Sequence, residues 1–131
     1  MKAYTDLEQS KKLTEFLPLE SADMAYWKKS YRPNDYAIMA RHTKELQEGF
    51  ASKGIEYIPC WSLAALLDSI PATCDDGRHC LALINSNPNG DVEWLCCYED
   101  YIGHLMMGCY GTNQVDACYE LVLKLHKQKL L

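Results

Sequence analysis

The sequence predicts an α+β fold: a three-stranded antiparallel meander set inside an α-β-β-β-α unit. Three observations carry this expectation. Cys80 to Tyr98 holds two apolar runs on either side of Asn87-Pro88-Asn89-Gly90. Pro88 presets φ for the first turn corner, Asn89 suits the second, and Gly90 supplies a left-handed residue, so the stretch reads as a hairpin. Before it, Leu63, Leu66, Leu67 and Ile70 follow the i, i+3, i+4, i+7 pattern of a helix, with Ser62 as N-cap and Pro71 beyond the end. After it, Asn113 and Asp116 cap a final helix from Gln114 to about Lys129, whose stripe is Val115, Cys118, Leu121, Val122 and Leu125. Lys124, Lys127 and Lys129 lie toward its C-terminus, where the helix dipole favours cations.

From the start of the chain, Thr5-Asp6-Leu7-Glu8 reads as a capping box, with the Thr5 hydroxyl accepting from the N3 amide and Glu8 reaching back. A helix follows to about Phe16, stopped by Pro18, with Leu7, Leu13, Phe16 and Leu17 turned inward. Between Glu20 and Lys29, Ala22, Met24 and Tyr26 alternate with Asp23, Ala25 and Trp27, which favours a short strand over a helix. Ser30 to Asn34 is a loop around Pro33. Asn34 is then expected to cap a helix carrying Tyr36, Met39, Ala40, Thr43, Leu46 and Phe50 at helical spacing, ended by Gly54. Ile55 to Pro59 is β-prone, and Thr73 to His79 reads as a polar loop with a turn at Asp75-Asp76-Gly77.

A Gly90 bulge in the hairpin would set Ile84 opposite Trp94, Ala82 opposite Cys96 and Cys80 opposite Tyr98. Both faces stay apolar away from the turn, so the N-terminal helices and the further strand are expected to pack on the sheet. Glu99-Asp100 turns the chain into a third strand over Tyr101 to Tyr110, broken by Gly111-Thr112-Asn113. The 131 residues read as a single domain, 1–131.

Composition narrows the class. With 48% hydrophobic and 24% charged residues, the chain is too apolar for disorder, and no run reaches the ~20 apolar residues of a membrane span. The polar, acidic opening predicts no signal peptide and a cytoplasmic protein. Seven cysteines in odd number, several inside predicted strands and helices, read as reduced thiols used as small hydrophobes. The net charge is −5; residues 1–50 are electroneutral and the later part carries all the acidic excess. An acidic body repels phosphate backbones and anionic membranes. The α-β-β-β-α order looks like that of double-stranded-RNA-binding domains. Gln114, Val115 and Asp116 stand where those domains carry a basic cluster, so the charge contradicts RNA binding.

An alternative reading is a small-molecule enzyme with a Cys/His site. Cys60 precedes a helix, which can lower a thiol pKa; His79 and His104 are candidate bases, with Asp75, Asp76 or Asp100 to orient them. Cys74, His79 and Cys80 offer thiolate and imidazole to a metal, but the paired knuckles of structural zinc sites are missing. No cofactor is expected, since neither glycine-rich phosphate motif occurs. The aromatic inventory points to a protein partner. Tyr26, Trp27, Tyr31 and Tyr36 cluster in an electroneutral, loop-rich section, and Tyr and Trp are favoured at protein interfaces.

Two segments resemble small uncharacterised proteins encoded in prophages and mobile elements of gut anaerobic bacteria: Ile58-Pro-Cys-Trp-Ser-Leu-Ala-Ala-Leu-Leu-Asp-Ser-Ile-Pro71 and Val115-Asp-Ala-Cys-Tyr-Glu-Leu-Val-Leu-Lys-Leu-His126. The likeness covers packing elements and carries no catalytic motif. It implies a small accessory protein of a mobile element. The reading that results is a non-enzymatic cytoplasmic protein acting through a protein partner. A homo-oligomer formed through an exposed edge strand stays open.

Overall fold

The computed structural model describes residues 2–74, 77–85 and 93–131. It has an α+β fold with two antiparallel sheets, and the chain divides into two compact units. One comprises Tyr4–Ala65; the other comprises Leu66–Leu131 with the residues before Tyr4. The elements are α1 (Leu7–Leu13), β1 (Met24–Lys28), β2 (Tyr36–Met39), α2 (Lys44–Ser52), β3 (Tyr57–Cys60), α3 (Leu63–Ser69), β4 (Thr73–Cys74), β5 (His79–Asn85), β6 (Trp94–Glu99), β7 (Leu105–Gly111) and α4 (Gln114–Lys127). No helix among the described residues is long and apolar enough to cross a membrane.

In the N-terminal unit the sheet order is β2-β1-β3. The strand expected between Glu20 and Lys29 is β1, at the centre. The capping box of α1 forms one residue later than expected: Asp6 accepts from the Gln9 amide at 2.8 Å, and the Gln9 side chain accepts from the Asp6 amide at 3.1 Å. Thr5 is occupied elsewhere. It is fully buried, its hydroxyl accepts from the Trp61 amide at 3.1 Å, and it lies 2.8 Å from the Ser10 hydroxyl.

The single helix expected from Asn34 is instead β2 followed by α2. Asn34 adopts φ 59, and residues 36–39 pair with β1, so their backbone groups are satisfied by a neighbouring strand. Thr43, not Asn34, caps the helix, accepting from the Leu46 amide at 3.1 Å. The far end matches expectation. Gly54 sits at φ 68, its amide donates to Ala51 and that of Ile55 to Phe50, the paired bonds of a Schellman stop.

In the C-terminal unit the sheet is β4-β5-β6-β7, four strands where three were expected. Thr73 and Cys74, assigned to a loop by their polarity, pair with Cys80 and His79. The last strand begins at Leu105, because Tyr101–His104 form a turn. The Asp100 carboxylate accepts from the Ile102 and His104 amides at 3.1 and 2.8 Å, and Gly103 supplies φ 85.

The β5–β6 register also differs from expectation by one residue: Ile84 lies opposite Leu95, Ala82 opposite Cys97, and Leu81 opposite Tyr98. The expected turn at Asn87–Gly90 lies outside the described residues. The observed register puts Leu81, Leu83, Cys96 and Tyr98 on one face with Met107 and Cys109 of β7. The α4 helix packs on β6 and β7 with Val115, Cys118, Leu121, Val122 and Leu125 buried, the stripe expected from the sequence. Each such Leu or Val contributes about 1.5–3 kcal/mol relative to exposure. Asn113 caps α4 as expected, accepting from the Asp116 amide at 2.8 Å.

Candidate functional site

Alternation along β1 decides what the aromatic cluster can do. Tyr26 lies opposite Ile38 and Ile58, whereas Trp27 lies opposite Ala37 and Tyr57, so the two rings leave the sheet on opposite faces. The Tyr26 hydroxyl donates to the Thr5 carbonyl at 2.9 Å, and burial raises this phenol above its ordinary pKa. Trp27 packs against Phe50 of α2, ring centroids 5.7 Å apart, and Phe50 in turn meets Tyr57 at 5.3 Å. Trp27 thus packs α2 on the sheet, and Tyr26 ties down the segment that leads into α1.

Tyr36 shares the Tyr26 face. Its hydroxyl donates to Glu56 at 2.7 Å and its ring lies 4.7 Å below the Lys28 ammonium. Burial and the Glu56 carboxylate push its pKa up to about 12.

Tyr31 differs from all three. It sits in the loop between β1 and β2 and is fully exposed. The loop around it is held by its own hydrogen bonds. Lys29 donates to the Asp35 carbonyl at 2.9 Å and Asp35 to the Arg32 carbonyl at 3.3 Å. The Ser30 hydroxyl accepts from the Arg32 amide at 3.2 Å and donates to the Asp35 carboxylate. Such closure fixes the chain on which the ring is carried.

Beside this loop lies a cavity of about 510 Å³ lined by Trp27, Lys28, Lys29, Ser30 and Tyr31 on one side and by Lys53, Gly54, Ile55 and Glu56 on the other. Its lysines come from two segments far apart in sequence, the end of β1 with the loop after it and the end of α2. Sequence reasoning singled out the aromatic residues and missed these cations. The signal was the Lys28-Lys29 pair followed by Arg32, but Lys53 joins them only because β1 and β3 pair.

The chemical candidates separate. Cys60 is fully buried, 3.3 Å from the Thr5 carbonyl to which its thiol donates. Burial pushes that thiol up, opposite to the lowering expected ahead of a helix, so it stays protonated at neutral pH. Cys74 and His79 are cross-strand partners, while Cys80 follows His79 and takes the other face. Three candidate ligands thus do not converge, and no group of three or more His, Cys, Asp or Glu among the described residues is placed to hold a metal ion.

His79 and Cys80 line a recess of about 700 Å³ with Arg78, Glu99, Asp100 and Tyr101. His104 stands 3.6 Å from the Asp100 carboxylate, which its own backbone contacts hold below the usual carboxylate range. Asp75 and Asp76 lie outside the described residues.

A second exposed apolar area was also missed. Tyr101, Ile102, Leu105, Met106 and Tyr110 are all exposed on β7, an edge strand, and the turn before it. The meander expected from the sequence already makes this last strand an edge; what it did not show is that these apolar side chains are left exposed there.

No protein-family model, no curated protein and no solved structure matches this chain.

Proposed function

We propose that the chain is a non-enzymatic accessory protein of a mobile element that acts in the cytoplasm by binding a protein partner. The accessory context follows the resemblance of residues 58–71 and 115–126. The binding activity rests on one observation: Tyr31 is carried, fully exposed, on a loop closed by its own hydrogen bonds. An aromatic ring loses little entropy on docking and brings a large contact area, which makes an exposed one on a pre-ordered loop a natural anchor. The alternative nucleophile, Cys60, is buried and protonated, which supports a non-enzymatic reading.

Affinity capture from lysate with the native chain, Tyr31→Ala and Tyr101→Ala tests this reading. The specifically captured protein is expected to bind Tyr31→Ala about thirtyfold more weakly, the effect of losing ~2 kcal/mol at an interface anchor, and to be retained by Tyr101→Ala. An unchanged captured set with Tyr31→Ala contradicts it.

A further inference from the structure

The wall of the cavity beside Tyr31 carries more cations than acids. The chain carries net charge −5, yet Lys28, Lys29 and Lys53 line one opening, and Arg32 is exposed in the same loop. Two acids stand with them, Glu56 in the cavity wall and Asp35 in the loop; each accepts from a hydroxyl, Asp35 from Ser30 and Glu56 from Tyr36, and keeps its charge, so cations outnumber carboxylates without being fully balanced by them. Lys29, Arg32 and Lys53 have no ion-pair partner among the described residues, in contrast to Lys11, Lys12 and Lys44, which pair along their own helices. A surplus of cations around a recess, with an exposed aromatic ring at its lip, selects a partner that brings negative charge and some apolar contact.

We infer that this cavity receives an acidic peptide segment of the partner, with carboxylates against Lys28, Lys29, Arg32 and Lys53 and an apolar side chain against Tyr31. The inference rests on the protein-binding reading above and names the chemistry of that same surface. A peptide fits better than a nucleic acid, because the basic area is confined to the end of β1 and two loops, whereas a strand of phosphates needs a track of cations.

The test is fluorescence anisotropy with a labelled short peptide of alternating Glu and Ala, its Gln and Ala counterpart, and a short oligothymidylate. The acidic peptide is expected to bind and the neutral one not to. Lys29→Glu and Lys53→Glu should each weaken binding roughly fivefold, as expected for exposed charge pairs. Raising ionic strength from about 0.1 M to about 1 M should abolish binding, because the screening length falls from ~10 Å to ~3 Å. Lys127→Glu makes the same charge change in the C-terminal unit and should leave binding intact.

Absence of acidic-peptide binding at low salt overturns the inference, as does an equal loss in Lys127→Glu. Tighter binding of the oligothymidylate through Lys29 and Lys53 also overturns it, in favour of nucleic acid. Should Tyr31→Ala abolish partner capture while the acidic peptide fails to bind, the charge assignment falls and the protein-binding reading stands. Should the acidic peptide bind while Tyr31→Ala leaves capture unchanged, the charge assignment stands and Tyr31 falls as the anchor.

Discussion

Tyr31 and Tyr36 belong to one hairpin and have opposite circumstances. Tyr36 is tied at both ends of its side chain, ring to Lys28 and hydroxyl to Glu56, and substituting it disturbs the sheet as well as any surface. Tyr31 is exposed, so its removal reports on recognition alone. Sequence reasoning grouped the two because it counts aromatic residues without their partners. Thr5 shows the same limit, since its spacing to Glu8 fits a capping box while its hydroxyl serves Trp61 and Ser10 across the fold. His42 gives a titration that checks the N-terminal core. Its Nδ1 lies 2.7 Å from the Tyr57 hydroxyl, and burial lowers its pKa from the ordinary 6.5. A group harder to protonate when folded contributes stability above its unfolded pKa, and this is lost as pH falls through the lowered folded value. The urea midpoint is therefore expected to drop between about pH 7 and about pH 5, with a flatter profile in His42→Phe. Identical profiles would contradict the half-buried, neutral imidazole.

At the level of elements, α4 was legible because cap and stripe agree: Asn113 with Asp116, then apolar residues at one helical face, all found as expected. The strand β2 was hidden. Tyr36 and Met39, three apart, fit a helical period, whereas Tyr36 and Ile38 alternate as in a strand; the arbiter is pairing with β1, which no local pattern contains. The β5–β6 register was hidden for a related reason. Both faces of those strands are apolar, so a one-residue shift leaves the pattern acceptable and the choice falls to packing against α4. Glycines test that packing. A Cβ on Gly111 would stand 2.4 Å from the Ala117 amide nitrogen, a backbone atom that cannot turn aside. Gly111→Ala is expected to lower unfolding free energy by about 3 kcal/mol or more. Gly49, inside α2, has nothing within 4 Å of such a Cβ, so Gly49→Ala should raise stability by about 0.5–1 kcal/mol. Urea denaturation of both variants decides; a Gly111→Ala protein as stable as the native one would contradict the close approach of α4 to β7.

Across the whole molecule, charge is apportioned between the units in a way that bears on binding. Residues 4–65 hold eight basic and nine acidic side chains, whereas residues 66–131 with Lys2 hold five and nine. The near balance of the N-terminal unit conceals a local excess of cations at the end of β1 and the loop after it, where Lys28, Lys29 and Arg32 stand against Asp35. Net charge by segment was legible in the sequence. Convergence of Lys53 with Lys28 and Lys29 was not, because it follows from the antiparallel pairing of β1 with β3, which sets Glu56 beside Lys28. The central claim, that this end of the N-terminal sheet is where a protein partner docks, is tested most directly by nuclear magnetic resonance. The captured partner would be titrated into the isotope-labelled chain and backbone amide shifts followed. The account predicts perturbations concentrated at residues 27–32 and 53–56. Shifts confined to residues 77–82 and 99–106, with the Tyr31 loop unmoved, would contradict it.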